Sequence, residues 1–450
     1  MKRKTVDFII RYEHKVRELE TIMLIRAELE RRGFTVAFEA NYEYKQVELY
    51  DPKVLIIPSL YSDENIAGDI AKYGLKKKIA NLLWEQLIGQ LDEDSPNCSH
   101  NVRGIGQKAI TFCWGQQTKD RIVRGGVPEA NAKVVGQLNT DLLRPPFSKS
   151  LLSKEELAQR YNLDINKKWV FFISSFAYCE LDELQKRLFY KEIGHERLDY
   201  MVNLANKSRD IILKWFEKVL NQNPDDIIIY RPHPDEARKS QVLKDLEKKY
   251  SNFRVISELA LKHWINVSDK IYNWYSTGLI DVVVLNKPYR IIRPVKICKE
   301  EDYKIYYNAK HITTEEEFLM DYHNYDCKEI IDKDLFNSYY YMPKGYVYEE
   351  VCNILQDMVE TDKYDIKYSW SEYQKFGRMR IRFLISPFLK KFIPLLSPLL
   401  SRLPIFKRKL KERELYFRIL QEGYEKNVAT ESDITELYSR IKPFLNGQKV

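Results

Sequence analysis

The dominant constraint on this chain is an alternation of short apolar runs with helical stretches, carried through once, interrupted, and then begun again. Val6-Asp7-Phe8-Ile9-Ile10 is a buried-strand run. The stretch after it repeats apolar residues at helical spacing (Val16, Leu19, Ile22, Met23, Leu24, Leu29) and closes on Arg31-Arg32-Gly33. Strand patterns then recur at Thr35–Phe38, Val54–Pro58, Lys78–Leu83, Ala109–Cys113 and Lys133–Gly136. Strands separated by single helices imply right-handed crossovers and a parallel sheet covered on both faces. Leu142-Leu143-Arg144-Pro145-Pro146-Phe147-Ser148 breaks the pattern as a linker.

A helix at Lys154–Tyr161 follows, and the alternation restarts at Trp169–Ser175. A long helical stretch over about 181–221 leads to Ile227–Tyr230, then a helix near Arg238–Tyr250 and a strand at Phe253–Ile256. Lys270–Tyr272, a helix from Gly278 to Leu285, and Tyr289–Ile292 complete the repeat. The expected fold is α/β, two Rossmann-like doubly wound domains facing a cleft, with ligands beyond the carboxyl ends of the strands. The expected division is 1–145, 146–345, and a helical extension over 346–450.

Composition narrows the class. In 450 residues, 44% hydrophobic and 13% aromatic content exclude a disordered chain, because that much apolar surface offsets chain entropy. The six cysteines lie far apart with no C-x-x-C pair, which argues against a zinc site or a disulfide scaffold. Met1-Lys2-Arg3-Lys4 leads into a strand and a charged helix, unlike a signal peptide, so the expected location is cytoplasmic.

The net charge of +8 is local. Residues 375–411 hold eleven Lys/Arg and no Asp/Glu, leaving 8 − 11 = −3 for the rest. Those cations are mixed with Phe, Leu, Ile and Pro, and no uncharged run approaches the roughly 20 residues a spanning helix needs. The composition suits a segment lying in a bilayer interface, on the cytoplasmic face of the inner membrane. A hydrophobic hairpin packed on the body or on another subunit is the other reading. Nucleic acid is not an expected partner, since stacking aromatics and groove-spaced cations are not evident.

Three turns suit phosphate, and each follows an apolar strand of the second repeat. In Tyr230-Arg231-Pro232-His233-Pro234-Asp235-Glu236, two prolines fix φ on either side of His233, and Arg231 offers a bidentate fork. Asn273-Trp274-Tyr275-Ser276-Thr277-Gly278 opens a helix with N-cap residue types. Ser174-Ser175-Phe176 places two hydroxyls at a strand end. Taken singly, a proline turn, an ordinary N-cap and a polar loop explain these equally well; their shared position favours a nucleotide phosphate. No G-x-x-x-x-G-K-[ST] or G-x-G-x-x-G is present.

The combination of Arg231-Pro232-His233-Pro234, His263-Trp264-Ile265, Asn273–Asp281, Asn286-Lys287-Pro288 and Arg293-Pro294 resembles bacterial surface-carbohydrate biosynthesis proteins of the GT-B glycosyltransferase type. His14–Glu20, Leu29–Gly33 and Gly136-Gln137-Leu138-Asn139 through Pro145 are similar to the same family. The likeness spans about 5–345. The Pro-flanked His with a Ser-Thr turn also resembles capsule Kdo transferases, GT-B sialyltransferases and teichoic-acid glycerophosphotransferases, which implies a cytidine-nucleotide donor. Gln137-Leu138-Asn139 departs from the Asn-Pro-Arg-like run more usual there.

The resemblance implies a metal-independent glycosyltransferase that uses a nucleotide-sugar as substrate, needs no cofactor, and extends a lipid-linked surface glycan such as capsule or lipopolysaccharide. A glycerol- or ribitol-phosphate transferase and a non-catalytic nucleotide-binding scaffold are the alternatives. Donor phosphate falls to Arg231, His233, Glu236, Ser174, Ser175, Ser276, Thr277 and Gly278, with His233 also catalytic. An acceptor-side carboxylate is expected near a strand end, and Glu85 in Asn81-Leu82-Leu83-Trp84-Glu85-Gln86 is the candidate base, with Asp63 and Glu64 second. A surface Glu opening a helix is the plainer reading of Glu85. His14, Arg17 and Glu18 are candidate acceptor contacts or a solvated helix face. Asp92-Glu93-Asp94 reads as a loop and not a metal site.

Overall fold

The computed structural model describes residues 3–41, 50–95, 98, 100–233, 236, 240–325, 331–381 and 427–445. The chain divides into two compact units. The first comprises 1–88, 92–141 and 337–450, and the second 89–91 and 142–336.

In the first unit, β1 (Lys4–Tyr12), β2 (Val36–Ala40), β3 (Tyr50–Ile57), β4 (Ile79–Asn81), β5 (Ile110–Cys113) and β6 (Ala132–Val134) form one sheet. Its order is β2-β1-β3-β4-β5-β6 and every pairing is parallel. The strand order reverses between β1 and β3, so the ligand-accepting position of this sheet lies beyond the carboxyl ends of those strands. The helix Lys15–Arg31 buries Leu19, Ile22, Met23 and Leu29. It stops where the sequence signals: Gly33 has φ 91° and Phe34 N–H reaches back to the Leu29 carbonyl at 3.0 Å.

The described C-terminal helices also belong to this unit. Asp141 caps the helix Val347–Glu360, its carboxylate accepting from Val347 and Tyr348 N–H at 3.0 and 2.7 Å. The helix Glu431–Leu445 is tied to the first helix through Asp433–Lys15 at 2.7 Å and Tyr438–Glu30 at 2.6 Å.

In the second unit, β7 (Lys168–Ile173), β8 (Asp226–Arg231), β9 (Phe253–Val255), β10 (Lys270–Asn273), β11 (Arg290–Ile292) and β12 (His311–Ile312) pair in parallel in the order β12-β11-β10-β7-β8-β9. Here the order reverses between β7 and β10. Phe172, Tyr230 and Tyr272 from the sheet pack against Ile212, Trp215 and Phe216 of the helix His195–Gln222. Each such fully buried apolar side chain stabilises the fold by about 1.5–3 kcal/mol.

Several local expectations change. The single helical stretch over 181–221 is two helices, Glu183–Ile193 and His195–Gln222, parted by Gly194 at φ 84°. Asp92-Glu93-Asp94 lies in a short helix, Gln90–Asp94, and not a loop. Glu93 is buried and takes hydrogen bonds from Tyr339 (2.6 Å) and Gln117 (2.8 Å), which makes it a packing residue. β12 carries too few residues to leave a sequence pattern. Of the basic apolar segment 375–411, everything from 382 onward lies outside the described residues. No helix among the described residues is long and apolar enough to cross a membrane.

Candidate functional site

Each unit carries one cluster of chemistry-bearing side chains where its strand order reverses. In the first unit the cluster begins with the backbone after β4. Buried Asn81 pins it: its carboxamide oxygen accepts from Leu60 and Leu83 N–H at 3.0 and 3.1 Å, and its nitrogen donates to the Leu60 carbonyl at 3.2 Å. Leu83 is held at φ 49°, and Gln86 donates to the Leu83 and Phe112 carbonyls at 2.9 Å each while accepting from Trp114 N–H at 2.7 Å. Glu85 sits between these pinned residues, in an irregular stretch and not at a helix start.

Arg17 bridges two carboxylates. Its Nη1 donates to Glu85 Oε1 at 3.0 Å and its Nη2 to Glu18 Oε1 at 2.8 Å. Glu18 is fully buried and its other oxygen accepts the Glu13 N–H at 2.8 Å, which locks the start of the first helix. Glu85 is half exposed. Tyr61 donates to the Glu85 carbonyl at 3.3 Å, His100 Nε2 lies 4.0 Å from Glu85 Oε2, and the Tyr61 and His100 rings meet edge-on at 5.4 Å. His14, the residue before the first helix, adds to the positive field at Glu85.

These neighbours set protonation. Burial pushes the Glu85 carboxyl up, but Arg17, His100 and His14 outweigh it and hold the group below its usual range. Burial wins at Glu18, whose carboxyl is raised despite Arg17. Glu85 is therefore a carboxylate at neutral pH. The sign predicts a test. Removing the cation in Arg17→Met takes away the largest opposition to burial and leaves only His100 and His14, so the carboxyl titrates higher. The acid limb of a pH–rate profile should move to higher pH, and an unmoved limb would count against control by Arg17.

Arg17 and Glu18, read from the sequence with His14 as one group, are thus brought together with Glu85, the separately chosen candidate base, and His14 acts on its charge. Tyr61 and His100 gave no sequence signal, because only the packing of their loops places them here. The second-choice carboxylates divide: Asp63 is committed to Ile105 N–H at 2.8 Å and to Lys375, and Glu64 is exposed.

In the second unit the loops after β8 and β10 flank the loop after β7. The two outer loops are therefore about 10 Å apart at the strand ends. Glu236 differs from expectation. It is 2% exposed and faces inward, with Oε1 accepting from Tyr230 OH and Oε2 from Ser174 Oγ, both at 2.6 Å. The His233 N–H donates to Ser174 Oγ at 2.9 Å and lies 3.3 Å from Glu236 Oε2, and Arg209 Nη1 stands 3.9 Å from Oε1. Burial raises the Glu236 carboxyl against these partners. Ser174 and Glu236 thus form a buried brace behind His233, and neither offers its side chain to a nucleotide.

Arg231 is also corrected. Its Nη1 donates to the Ile256 and Glu258 carbonyls at 3.2 and 2.7 Å and its Nη2 to the Leu259 carbonyl at 2.7 Å. With both terminal nitrogens engaged, the guanidinium ties down the loop after β9, where Leu259 takes φ 64°. Burial depresses it to about 10. Arg231 is a structural tie and not an open fork.

The turn after β10 is closed on itself. Ser276 N–H donates to Asn273 Oδ1 at 3.0 Å, and Ser276 Oγ accepts from Gly278 N–H at 3.2 Å. The helix behind it, Leu279–Val284, is short. A Cβ on Gly278 would stand 2.5 Å from Leu261 Cδ1, so the glycine lies against the Leu261 side chain of a neighbouring helix. Thr277 is exposed, and Ser175 and His233 are half-buried at the same end of the sheet. Among the described residues no group of three or more His, Cys, Asp or Glu is placed to hold a metal ion.

No family model and no curated protein sequence matches the chain. Solved structures do. A histidine-to-asparagine variant of the wall teichoic acid polymerase TagF is 11% identical, covers 80% of this chain and 90% of its own, and superposes with a TM-score of 0.51. The UDP-GlcNAc 2-epimerase of Methanocaldococcus jannaschii, solved with UDP-GlcNAc and UDP, is 12% identical over 78% of this chain and 99% of its own, with a TM-score of 0.49. That of Neisseria meningitidis, bound to UDP-GlcNAc, is 12% identical over 79% and 100%, with a TM-score of 0.47. At such identities the likeness concerns fold. With two parallel six-stranded sheets, the chain is an α/β protein of paired Rossmann-like domains. More narrowly, its fold is GT-B.

Proposed function

We propose that the protein is a metal-independent glycosyltransferase that moves a sugar from a nucleotide-activated donor, CMP-linked by preference, to a growing surface glycan carried on a lipid. The observation that carries this reading is the pair of polar clusters, each at the strand-order reversal of its own sheet. In the reaction, the bond from the sugar's anomeric carbon to the donor phosphate breaks and a bond to an acceptor oxygen forms. The acceptor hydroxyl proton passes to the Glu85 carboxylate, and the nucleotide leaves with the bonding electron pair. His233, Ser175, Ser276 and Thr277 support the reading as donor contacts, with Ser174 and Glu236 fixing the loop of His233. His14 and Arg17 would orient the acceptor, while Glu18, expected there from the sequence, is fully buried and instead holds Arg17 in place.

A thermal-shift screen against CMP, CDP, UDP and GDP tests the donor class. A cognate nucleotide at a hundredfold excess over Kd should stabilise by about 2.7 kcal/mol. His233→Ala should lose turnover of the bound donor, and undiminished turnover would remove His233 from the mechanism. Product analysis separates the competing phosphotransfer reading, since a glycosidic bond forms in one case and a phosphodiester in the other.

The membrane assignment is part of the same proposal. The helix over 370–381 is seated on the first unit by buried Phe376 and by ion pairs from Lys108 to Glu372 (2.7 Å) and from Lys375 to Asp63. Its opposite face exposes Trp370 (76%), Tyr373 (48%) and Ile381 (58%), which helical spacing aligns in one stripe. That stripe leads into the basic segment 375–411 and suits an anionic inner leaflet. The protein should sediment with phosphatidylglycerol vesicles but not phosphatidylcholine vesicles. The Trp370→Ser, Ile381→Ser double variant should bind several-fold more weakly, and unchanged sedimentation would remove the stripe from the contact.

A further inference from the structure

The loss of Arg231 as an open cation directs attention to Arg293, three residues after the start of β11 and 2% exposed. A guanidinium carries five N–H donors. Among the described residues, Arg293 Nη2 donates to Asp302 Oδ1 at 3.4 Å, while Nε and Nη1 have no hydrogen-bond partner. The rings of Tyr275 and Tyr306 lie 5.4 and 5.9 Å from the guanidinium carbon and wall the group in. Asp302 is only partly available, because the same oxygen accepts the Tyr303 N–H at 2.9 Å.

The neighbouring strand repeats the pattern. Asn273, the last residue of β10, is fully buried; its Oδ1 accepts from Ser276 N–H, but its Nδ2 has no acceptor among the described residues. In the parallel register Asn273 pairs with Ile291, and two residues on from Ile291 the chain reaches Arg293, so Asn273 and Arg293 project from one face of the sheet. Tyr306 connects the two, its ring against Arg293 and its hydroxyl donating to the Ser276 carbonyl at 2.6 Å. Three buried nitrogen donors without acceptors among the described residues thus lie at the carboxyl ends of β10 and β11, beside the point where the strand order reverses. Buried donors are nearly always satisfied, so a donor-only set calls for a ligand that supplies only acceptors.

We propose that Arg293 and Asn273 are the anion-recognition pair of the second unit, binding the phosphate or diphosphate oxygens of the nucleotide donor. The assignment rests on the nucleotide-sugar reading and specifies which side chains meet its charge. Arg293 Nε and Nη1 each supply a charge-assisted donor to a phosphate oxygen, and Asn273 Nδ2 supplies a third. It does not depend on the short helix after Gly278.

Calorimetry on the full chain tests it, with CMP, CDP, UDP, GDP and pyrophosphate as probes. The best-bound nucleotide should lose at least tenfold in affinity in Arg293→Met and recover part of it in Arg293→Lys. Should Arg293→Met not fold, Asn273→Asp carries the same test, since it keeps the volume and sets a carboxylate against the phosphate. Pyrophosphate weakened in parallel assigns the effect to the phosphate groups and not to the base. If wild type binds a nucleotide and both variants bind it equally well, Arg293 and Asn273 are packing residues and the assignment fails alone. If wild type binds none of the nucleotides, the nucleotide-sugar reading fails and takes the assignment with it.

Discussion

Replacing Glu236 by alanine is expected to destabilise the protein by about 1–3 kcal/mol for each of the two buried hydroxyls that lose their acceptor. The change strips the Tyr230 and Ser174 hydroxyls of their acceptor and withdraws a carboxylate from the vicinity of Arg209. Glu236→Gln keeps the volume and an acceptor and should cost much less. A pH series adds a signature. Because burial raises the folded-state carboxyl pKa, the folded chain holds this proton to higher pH than the unfolded chain does. The Glu236 contribution to stability therefore falls as pH rises from the unfolded toward the folded value, and Glu236→Gln should lack that slope. Urea unfolding reads both effects. An alanine variant as stable as wild type would mean that the brace behind His233 is dispensable.

The second large effect is on turnover. Glu85→Gln is expected to lower kcat by about 10²–10⁴-fold, the usual contribution of a positioned base. Stability should hardly move, since Glu85 is half exposed and Arg17 keeps its bonds to buried Glu18. Nucleotide affinity should also be unchanged, because the proposed donor contacts belong to the other unit. Full activity in Glu85→Gln would transfer the base role elsewhere in the cluster, with His100, 4.0 Å from the Glu85 carboxylate, the next group to test.

Most strands were legible because a strand buried on both faces must be apolar throughout, as in Val54–Ile57 and Phe171–Ile173. Helix ends were legible where a local device marks them. Ser153 with Glu156 forms the capping box at Lys154–Tyr161, and Gly33 closes Lys15–Arg31. Gly194 was passed over because a single glycine leaves helical periodicity intact while its positive φ breaks the helix in space.

The candidate site was half legible for a related reason. Sequence position told which residues stand at strand ends, and Glu85, Arg17, Glu18 and His14 do meet there. It did not tell which way a side chain turns. Arg231 ends one apolar strand and Arg293 follows another, yet Arg231 is engaged by three backbone carbonyls while two nitrogens of Arg293 have no partner among the described residues.

The amino-acid order alone therefore determined two successive α/β repeats and the strand ends at which polar groups gather, because burial and chain reversal are governed by neighbours within a few residues. Only the tertiary structure decided that Glu236 and Ser174 face inward, that Arg17 joins two carboxylates, and that Arg293 lies buried with donors to spare. Those outcomes depend on which hydrogen-bond partners distant segments bring, and a buried polar side chain turns toward whichever acceptor the fold supplies.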